Sequence, residues 1–427
     1  MRRKIIRINT ILLMIFLFGL GPYCSYTLSA TDFFTIVVLP DTQLYSATYP
    51  TIFTEQTQWI VDNKDRLNIT FVVHVGDIVN DGNSIPQQWT NADASMDKLD
   101  NVVPYLVVPG NHDYDNQCGT RSATSYNSKF GPSRFQGYSW YGGHYSGGNE
   151  NNYGFFSGDS QEFLVIGLEF CPRDEVLSWA EGLINDNPNK KVILFTHSYM
   201  YSDNTRVDSG DTHNCTAYTC GASCNNGEDI WNELVSKKFE HSNISLASNI
   251  ILLLSGHIVV GSTDGCSITG RRTDCVNNQP VHQILQNYQI CPPYGGDGLL
   301  RYYTFKPDEN KIEAVTYSPH LDQYLTDSSN RFDLIYTTPG DVYPKATCGD
   351  GVIDIFDILT EVDFAVGRQI PTDCQAAKGN VPTGTPPDCT ASDNEINIFD
   401  LMTMIDKALG RPNCIDYCLE HPEFCEE

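Results

Sequence analysis

The segment "VVHVGDIVNDG", Val72 to Gly82, decides how this chain is read. An apolar run long enough for a buried strand stops at Gly76 and delivers the carboxylate of Asp77 into a polar turn. Strand stability gains nothing from such an ending. A carboxylate just beyond the carboxyl end of a strand lies where open α/β sheets usually build their sites. The question is whether other strands bring partners to the same edge.

Four further segments do so. "FTIVVLPDTQ" (34–43) ends on Asp41, Thr42 and Gln43, and "VVPGNHD" (107–113) on Asn111, His112 and Asp113. "ILFTHSY" (193–199) presents His197, and "ILLLSGHIVV" (251–260) presents His257. Gly76, Gly110 and Gly256 are read as letting the backbone turn tightly beside these groups. One Asp or His is readily a satisfied structural residue. Strand ends carrying Asp, Asp, Asn, His and His together are instead a ligand set of hard oxygens and imidazoles.

Around these ends the pattern predicts strands near 34–40, 70–76, 104–109, 162–168, 191–196 and 249–255, and helices near 53–67, 86–100, 174–186 and 228–240. Such alternation implies an α/β chain with a largely parallel sheet between helices. Runs at 300–306 and 311–317 suggest a second sheet or an antiparallel edge. Residues 113–160, with "GYSWYGGHYSGGNENNYG" (137–154), read as a long loop whose aromatics either line a substrate groove or staple the loop; His144 reads as solvated.

With these blocks in order, the chain resembles the calcineurin-like metallophosphoesterases from about Thr35 to His257, more weakly to Tyr317; "GDIVN" and "GNHD" carry most of the likeness. The resemblance implies an α/β (α+β) fold, a four-layer sandwich of two mixed β-sheets flanked by helices over residues 31–320. It implies one or two divalent transition ions (Fe, Mn or Zn) and a phosphate mono- or diester hydrolysed by water, with no protein nucleophile. Asp77 would bridge two metals, Asn111, His197 and His257 would complete one, and Asp41 would serve the other. His112 corresponds to the general acid, with Asp113 placed to fix its tautomer. His74 reads as buried support. Two positions depart from the family: Gln43 and Val259 stand where it has histidines. Gln43 therefore either coordinates through oxygen or orients Asp41 or a water. A substitute ligand is sought in "VHQILQNYQ" (281–289), read as a helix carrying His282, while Arg271 and Arg272 in "GRRTD" are candidates for a substrate phosphate.

Residues 1–30 read as a secretory signal: Arg2, Arg3, Lys4 and Arg7, then "ILLMIFLFGLG", then "LSA" at 28–30. Its removal leaves 23 basic against 53 acidic residues, a net charge of −30. That charge argues against a duplex nucleic-acid partner, and no stable membrane span is expected after cleavage. The mature chain is expected outside the cytoplasm, secreted or at the cell surface. Fourteen cysteines follow the signal, eight from Cys118 to Cys291 and six from Cys348 to Cys425. Disulfides are expected in each group, with zinc at Cys215, Cys220 and Cys224 as the weaker reading.

After a linker or edge segment at 321–345 comes an internal repeat, "GVIDIFDILTEVDFAVGR" (351–368) and "NEINIFDLMTMIDKALGR" (394–411). Residues 346–427 thereby resemble a duplicated dockerin type I module, a small helical domain. Calcium ligands would be Asp350, Asp354, Asp357, Asp393, Asn397 and Asp400, although Ala346, Cys348, Cys389 and Ala391 occupy early ligand positions. The module suggests a cohesin-like or cell-surface partner; otherwise it is a disulfide-held appendage. The alternative for the whole chain is a non-catalytic extracellular binding protein on a degraded scaffold.

Overall fold

A computed structural model describes residues 33–336 apart from 221–222, 238–248, 262–265 and 277–278. The expected signal at 1–30 and the repeat module with Asp350, Asp354, Asp357, Asp393, Asn397 and Asp400 lie outside the described residues.

The chain lays down β1 (Phe34–Leu39), α1 (Gln43–Thr48), α2 (Pro50–Asn63), β2 (Ile69–His74), α3 (Pro86–Met96), β3 (Tyr105–Val107) and β4 (Asp115–Cys118). Next come α4 (Thr124–Phe130), α5 (Pro132–Phe135), β5 (Tyr141–His144), β6 (Asn152–Gly158), β7 (Gln161–Leu168), α6 (Asp174–Asp186) and β8 (Lys191–Thr196). After α7 (Gly227–Ile230) follow β9 (Ile250–Ser255), β10 (Ile268–Val276), β11 (Gln279–Asn287) and β12 (Leu300–Lys306). The series ends with β13 (Lys311–Ser318), β14 (Gln323–Leu325) and β15 (Arg331–Ile335). Among the described residues no helix is long and apolar enough to cross a membrane.

The strands form two mixed seven-stranded sheets among the described residues, one in the order β14-β13-β12-β1-β2-β3 with β15 on β13, the other β10-β11-β9-β8-β7-β6-β5. Each central strand is apolar on both faces, as strands covered on both sides require. On β1, Val37 and Leu39 join the cluster containing Ile52, Phe53 and Ile60 of α2, whereas Ile36 and Val38 enter the cluster between the sheets. On β8, Ile193 and Phe195 share that central cluster, while Val192 and Leu194 pack with Val176, Ala180 and Ile184 of α6. Helix, sheet, sheet and helix thus stack in layers. Because β1, β2 and β3 run parallel, as do β7, β8, β9 and β11, their carboxyl ends gather at one edge of each sheet.

Two expectations need correction. Residues 113–160 are not one loop: they hold β4, two short helices and the β5–β6 pair, and Trp140 stacks with Tyr138 and meets Phe71 and Phe135. The aromatics are a staple. "VHQILQNYQ" is not a helix, since most of it belongs to strand β11. Its polar residues are internal: Tyr199 donates to Gln283 Oε1 (3.0 Å) and Tyr303 to Gln286 Oε1 (2.7 Å), so their spacing mimicked a wet helix face. The segment expected at 321–345 as a linker or an edge begins with β14 and β15, which pair with β13 in the first sheet, with Leu334 and Tyr336 buried.

Among the described residues six cysteines form three disulfides, Cys118–Cys220, Cys171–Cys215 and Cys266–Cys291. Cys215 and Cys220 therefore serve bridges and not zinc.

Candidate metal centre

Asp41 follows β1, Asp77 follows β2, Asn111 to Asp113 follow β3, His197 follows β8 and His257 follows β9. The backbone at three of these residues is left-handed, with φ of 37° at Asp41, 51° at Asp77 and 73° at His257. Such conformations cost about 1–3 kcal/mol each in non-glycine residues and persist where the surroundings impose them. Of the three glycines expected to turn the chain, Gly76 does so, with φ of 100°. Gly110 and Gly256 instead supply space: a Cβ on Gly110 would lie 2.1 Å from Asp77 Oδ1, and one on Gly256 2.2 Å from Asp41 Oδ2.

Asp77, His197 and His257 each offer one ligand atom within 4.8 Å of the others. His197 Nδ1 donates to the Val75 carbonyl (2.9 Å), which turns Nε2 toward the carboxylates, 3.3 Å from Asp77 Oδ2 and 4.0 Å from Asp41 Oδ1. Asp41 accepts the His257 backbone N–H (3.1 Å), tying the ends of β1 and β9 together across the two sheets. Gln43 Nε2 donates to Asp77 Oδ2 (3.3 Å) and to Gln289 Oε1. Four buried acceptors or ring nitrogens are left without a hydrogen-bond partner: Gln43 Oε1, Asn111 Oδ1, His197 Nε2 and His257 Nε2. Such groups are rare in folded interiors and cost about 1–3 kcal/mol each. Two carboxylates, two carboxamide oxygens and two imidazoles fit one or two divalent cations.

The charges carry the same imprint. Burial, and next to it the Asp77 charge, pushes the Asp41 carboxyl well above the carboxylate range against the pull of His197. Burial disfavours charge on Asp77 too, yet His197 and His112 hold it well below that range. Burial would lower His197, but Asp77 raises it to about 9. His257, buried beside His197, is pushed well down. His74 is driven by burial to about 3 and stays neutral. Its Nδ1 accepts the Gly76 N–H (3.2 Å), so Nε2 carries the hydrogen toward Thr42 Oγ1 (2.8 Å), a support for two ligand turns.

His112 gives its backbone N–H to Asp77 Oδ1 (3.1 Å) and its Nδ1 hydrogen to the Asn80 carbonyl (2.8 Å), leaving Nε2 available. Asn80 therefore sets the tautomer expected of Asp113. Asp113 is fully buried and accepts three backbone N–H groups, from Ile78 (3.1 Å), Val79 (2.9 Å) and Gly110 (2.8 Å). It clamps the Asp77 turn to the Asn111 turn. Burial and Asp77 push it up to about 7 against those three donors.

Three further candidates lie elsewhere. His282 pairs in register with Leu252, upstream of the site end of β9, and spends both nitrogens: Nε2 donates to the Ile335 carbonyl (2.8 Å) and Nδ1 accepts from Thr273 (2.8 Å). Arg272 forks onto Asp274 (2.5 and 3.1 Å), and Arg271 lies over the Phe332 ring, 4.1 Å from its centroid. Gln289 was missed. It closes the very segment searched for a substitute ligand, and reading that segment as a strand would have placed it at a site edge. Phe170 and Tyr218 were missed as well; they pack on His257 at 5.1 and 4.9 Å between ring centroids and wall the centre on that side.

Comparison with known proteins gives several likenesses. The chain is 33% identical to the uncharacterized protein YvnB of Bacillus subtilis over 310 residues, 71% of this chain and 21% of that protein. It is 24% identical to a probable glycerophosphodiester phosphodiesterase, GpdQ, of Arcobacter nitrofigilis over 187 residues, 38% of this chain and 60% of that one. It thus spans less than two thirds of either relative. A dimetal phosphatase from Danio rerio superposes with a TM-score of 0.44 at 15% identity, covering 71% of this chain and 99% of that one. The sequence pattern of the calcineurin-like phosphoesterases matches residues 34–261. With that match over more than half its length, the chain belongs to the calcineurin-like phosphoesterases, a family of hydrolases acting on phosphoester bonds.

Proposed function

We propose that this chain is an exported metal-dependent phosphoesterase acting on phosphate mono- or diesters. The observation that carries the reading is the set of four unpartnered buried atoms, Gln43 Oε1, Asn111 Oδ1, His197 Nε2 and His257 Nε2, around Asp41 and Asp77. Asn111, His197 and His257 would hold one cation with Asp77, and Asp41, with Gln43 beside it, would serve a second. Bound cations supply Lewis acidity toward phosphoryl oxygens and lower the pKa of a water. The chain's own part is positional. Asn80 takes the Nδ1 hydrogen and the Asp77 charge raises the imidazole, so a charged His112 would hold a second proton at Nε2 for the leaving oxygen. Phe170 and Tyr218 exclude water from the His257 side. The likeness to a probable glycerophosphodiester phosphodiesterase puts a diester among the first substrates to try. Export is supported by the three disulfides, which persist in oxidising compartments. The C-terminal repeat would add docking to a cohesin-like or surface partner.

The replacement of two imidazoles by Gln43 and Val259 favours a second reading, a binding protein without turnover, and one relative is a probable inactive purple acid phosphatase, 27% identical over 133 residues. Elemental analysis with turnover of a generic phosphomonoester and phosphodiester decides between them. Stoichiometric metal, with turnover lost in Asp77→Asn, is the result expected. Metal-free protein without turnover would leave the binder.

A further inference from the structure

Between β8 and α7 the chain makes a long excursion, 198–226, that is tied down at close intervals. Cys215 is bridged to Cys171, beside Phe170, and Cys220 to Cys118. Asn214 Nδ2 donates to the carbonyls of Ser209 (3.1 Å) and Asp211 (2.6 Å), and its Oδ1 accepts the Ala217 N–H (2.9 Å). Thr212 Oγ1 meets the Tyr201 hydroxyl (3.1 Å). Between Thr212 and Asn214 stands His213. Its ring lies 5.9 Å from that of His257 between centroids, and its Nε2 is buried with no hydrogen-bond partner among the described residues.

Packing alone needs no nitrogen at that place: Phe170 and Tyr218 cover their sides of His257 with ring carbon. A bare ring nitrogen in a buried position is costly and calls for a polar partner. That partner is not a cation shared with the ligand triad. Atoms that hold one ion at about 2.1 Å lie within about 4.2 Å of one another, and the cluster found within 4.8 Å contains Asp77, His197 and His257 but not His213. The partner therefore stands one atom further out, where an ester seated on the centre carries its phosphoryl oxygens. We infer that His213 is a substrate-binding residue, its Nε2 hydrogen donated to a non-bridging phosphoryl oxygen, and that the doubly bridged loop exists to hold it there. A donor facing an anionic oxygen makes a stronger bond than one facing a neutral acceptor. This inference rests on the reading of the chain as a metal-dependent phosphoesterase.

The test uses the full chain loaded with Mn²⁺, with inorganic phosphate as the probe in isothermal titration and Mn²⁺ content read by elemental analysis. His213→Ala should bind phosphate at least tenfold more weakly than wild type at unchanged Mn²⁺ content, the retained metal reporting that the fold and the ligand set are intact. His213→Gln, whose side-chain amide carries a hydrogen to about the same reach, should recover most of the loss. Phosphate affinity unchanged in His213→Ala, Mn²⁺ lost together with phosphate affinity, or no recovery in His213→Gln would overturn the substrate contact while leaving the phosphoesterase reading standing. Wild-type protein that binds no phosphate and turns over no phosphoester would overturn both.

Discussion

Asp113 offers the sharpest separation between structural and catalytic roles. Its carboxylate accepts the N–H groups of Ile78, Val79 and Gly110 in a site closed to solvent. Asp113→Ala strands all three, and at about 1–3 kcal/mol per unsatisfied buried donor the loss is about 3–9 kcal/mol, less whatever an entering water recovers. Against a total stability of about 5–15 kcal/mol, that is enough to unfold much of the protein. Asp113→Asn is gentler. With its oxygen at the Oδ2 position it keeps the bonds from Ile78 and Gly110 and sets an amide N–H₂ against Val79, losing about 1–3 kcal/mol. Denaturant unfolding of both variants with disulfides intact measures the two losses, and cation binding should weaken in the same order because Gly110 and Ile78 flank the ligand turns. If Asp113→Ala unfolds within about 1 kcal/mol of wild type while turnover collapses, the clamp is wrong and a direct role in catalysis is right.

Other outcomes follow from single contacts. Gly256→Ala pushes a Cβ to 2.2 Å from Asp41 Oδ2 and should strip cation from the Asp41 side, whereas Gly182→Ala, mid-helix with nothing within 4 Å of its Cβ, should raise stability by about 0.5–1 kcal/mol and leave cation content unchanged. Asp115 accepts Ser122 Oγ (2.6 Å) and the N–H groups of Thr124 (2.8 Å) and Ser125 (3.1 Å) at the start of α4, and against partial burial these bonds hold it at about 2. Its folded value lies below the unfolded one, so its contribution is present above the ordinary carboxylate range and is lost as pH falls through about 2. Asp115→Ala should therefore cost about 1 kcal/mol at neutral pH, with the gap to wild type closing toward pH 2 in unfolding titrations. Arg272→Ala removes a half-exposed fork to Asp274 and should change stability by less than about 1 kcal/mol and kcat/KM by less than about twofold; a tenfold fall would return Arg272 to the substrate.

The sequence was legible where one chemistry dominated. Apolar runs closing on Asp77, Asn111, His197 and His257 read as buried strands with polar ends, and the structure has those strands and gathers their ends. It was opaque where polar residues are internal. Gln283, Gln286 and Asn287 satisfy partners inside the protein, so β11 carried no alternation, and Gln289 at its end went unread. Glycine and tyrosine hid β5 and β6, whose side chains serve a cluster built from distant elements. Asp113 was misjudged because its neighbour His112 drew attention to side chains, while its partners are backbone N–H groups, which no residue type advertises.

The left-handed residues Asp41, Asp77 and His257 bear on how the protein drifts. Glycine at any of them would ease the main chain, but at 41 it would leave the His257 N–H, and at 77 the His112 N–H, without its acceptor. A lineage freed from the need for metal should therefore slide toward glycine at 257 before 41 or 77.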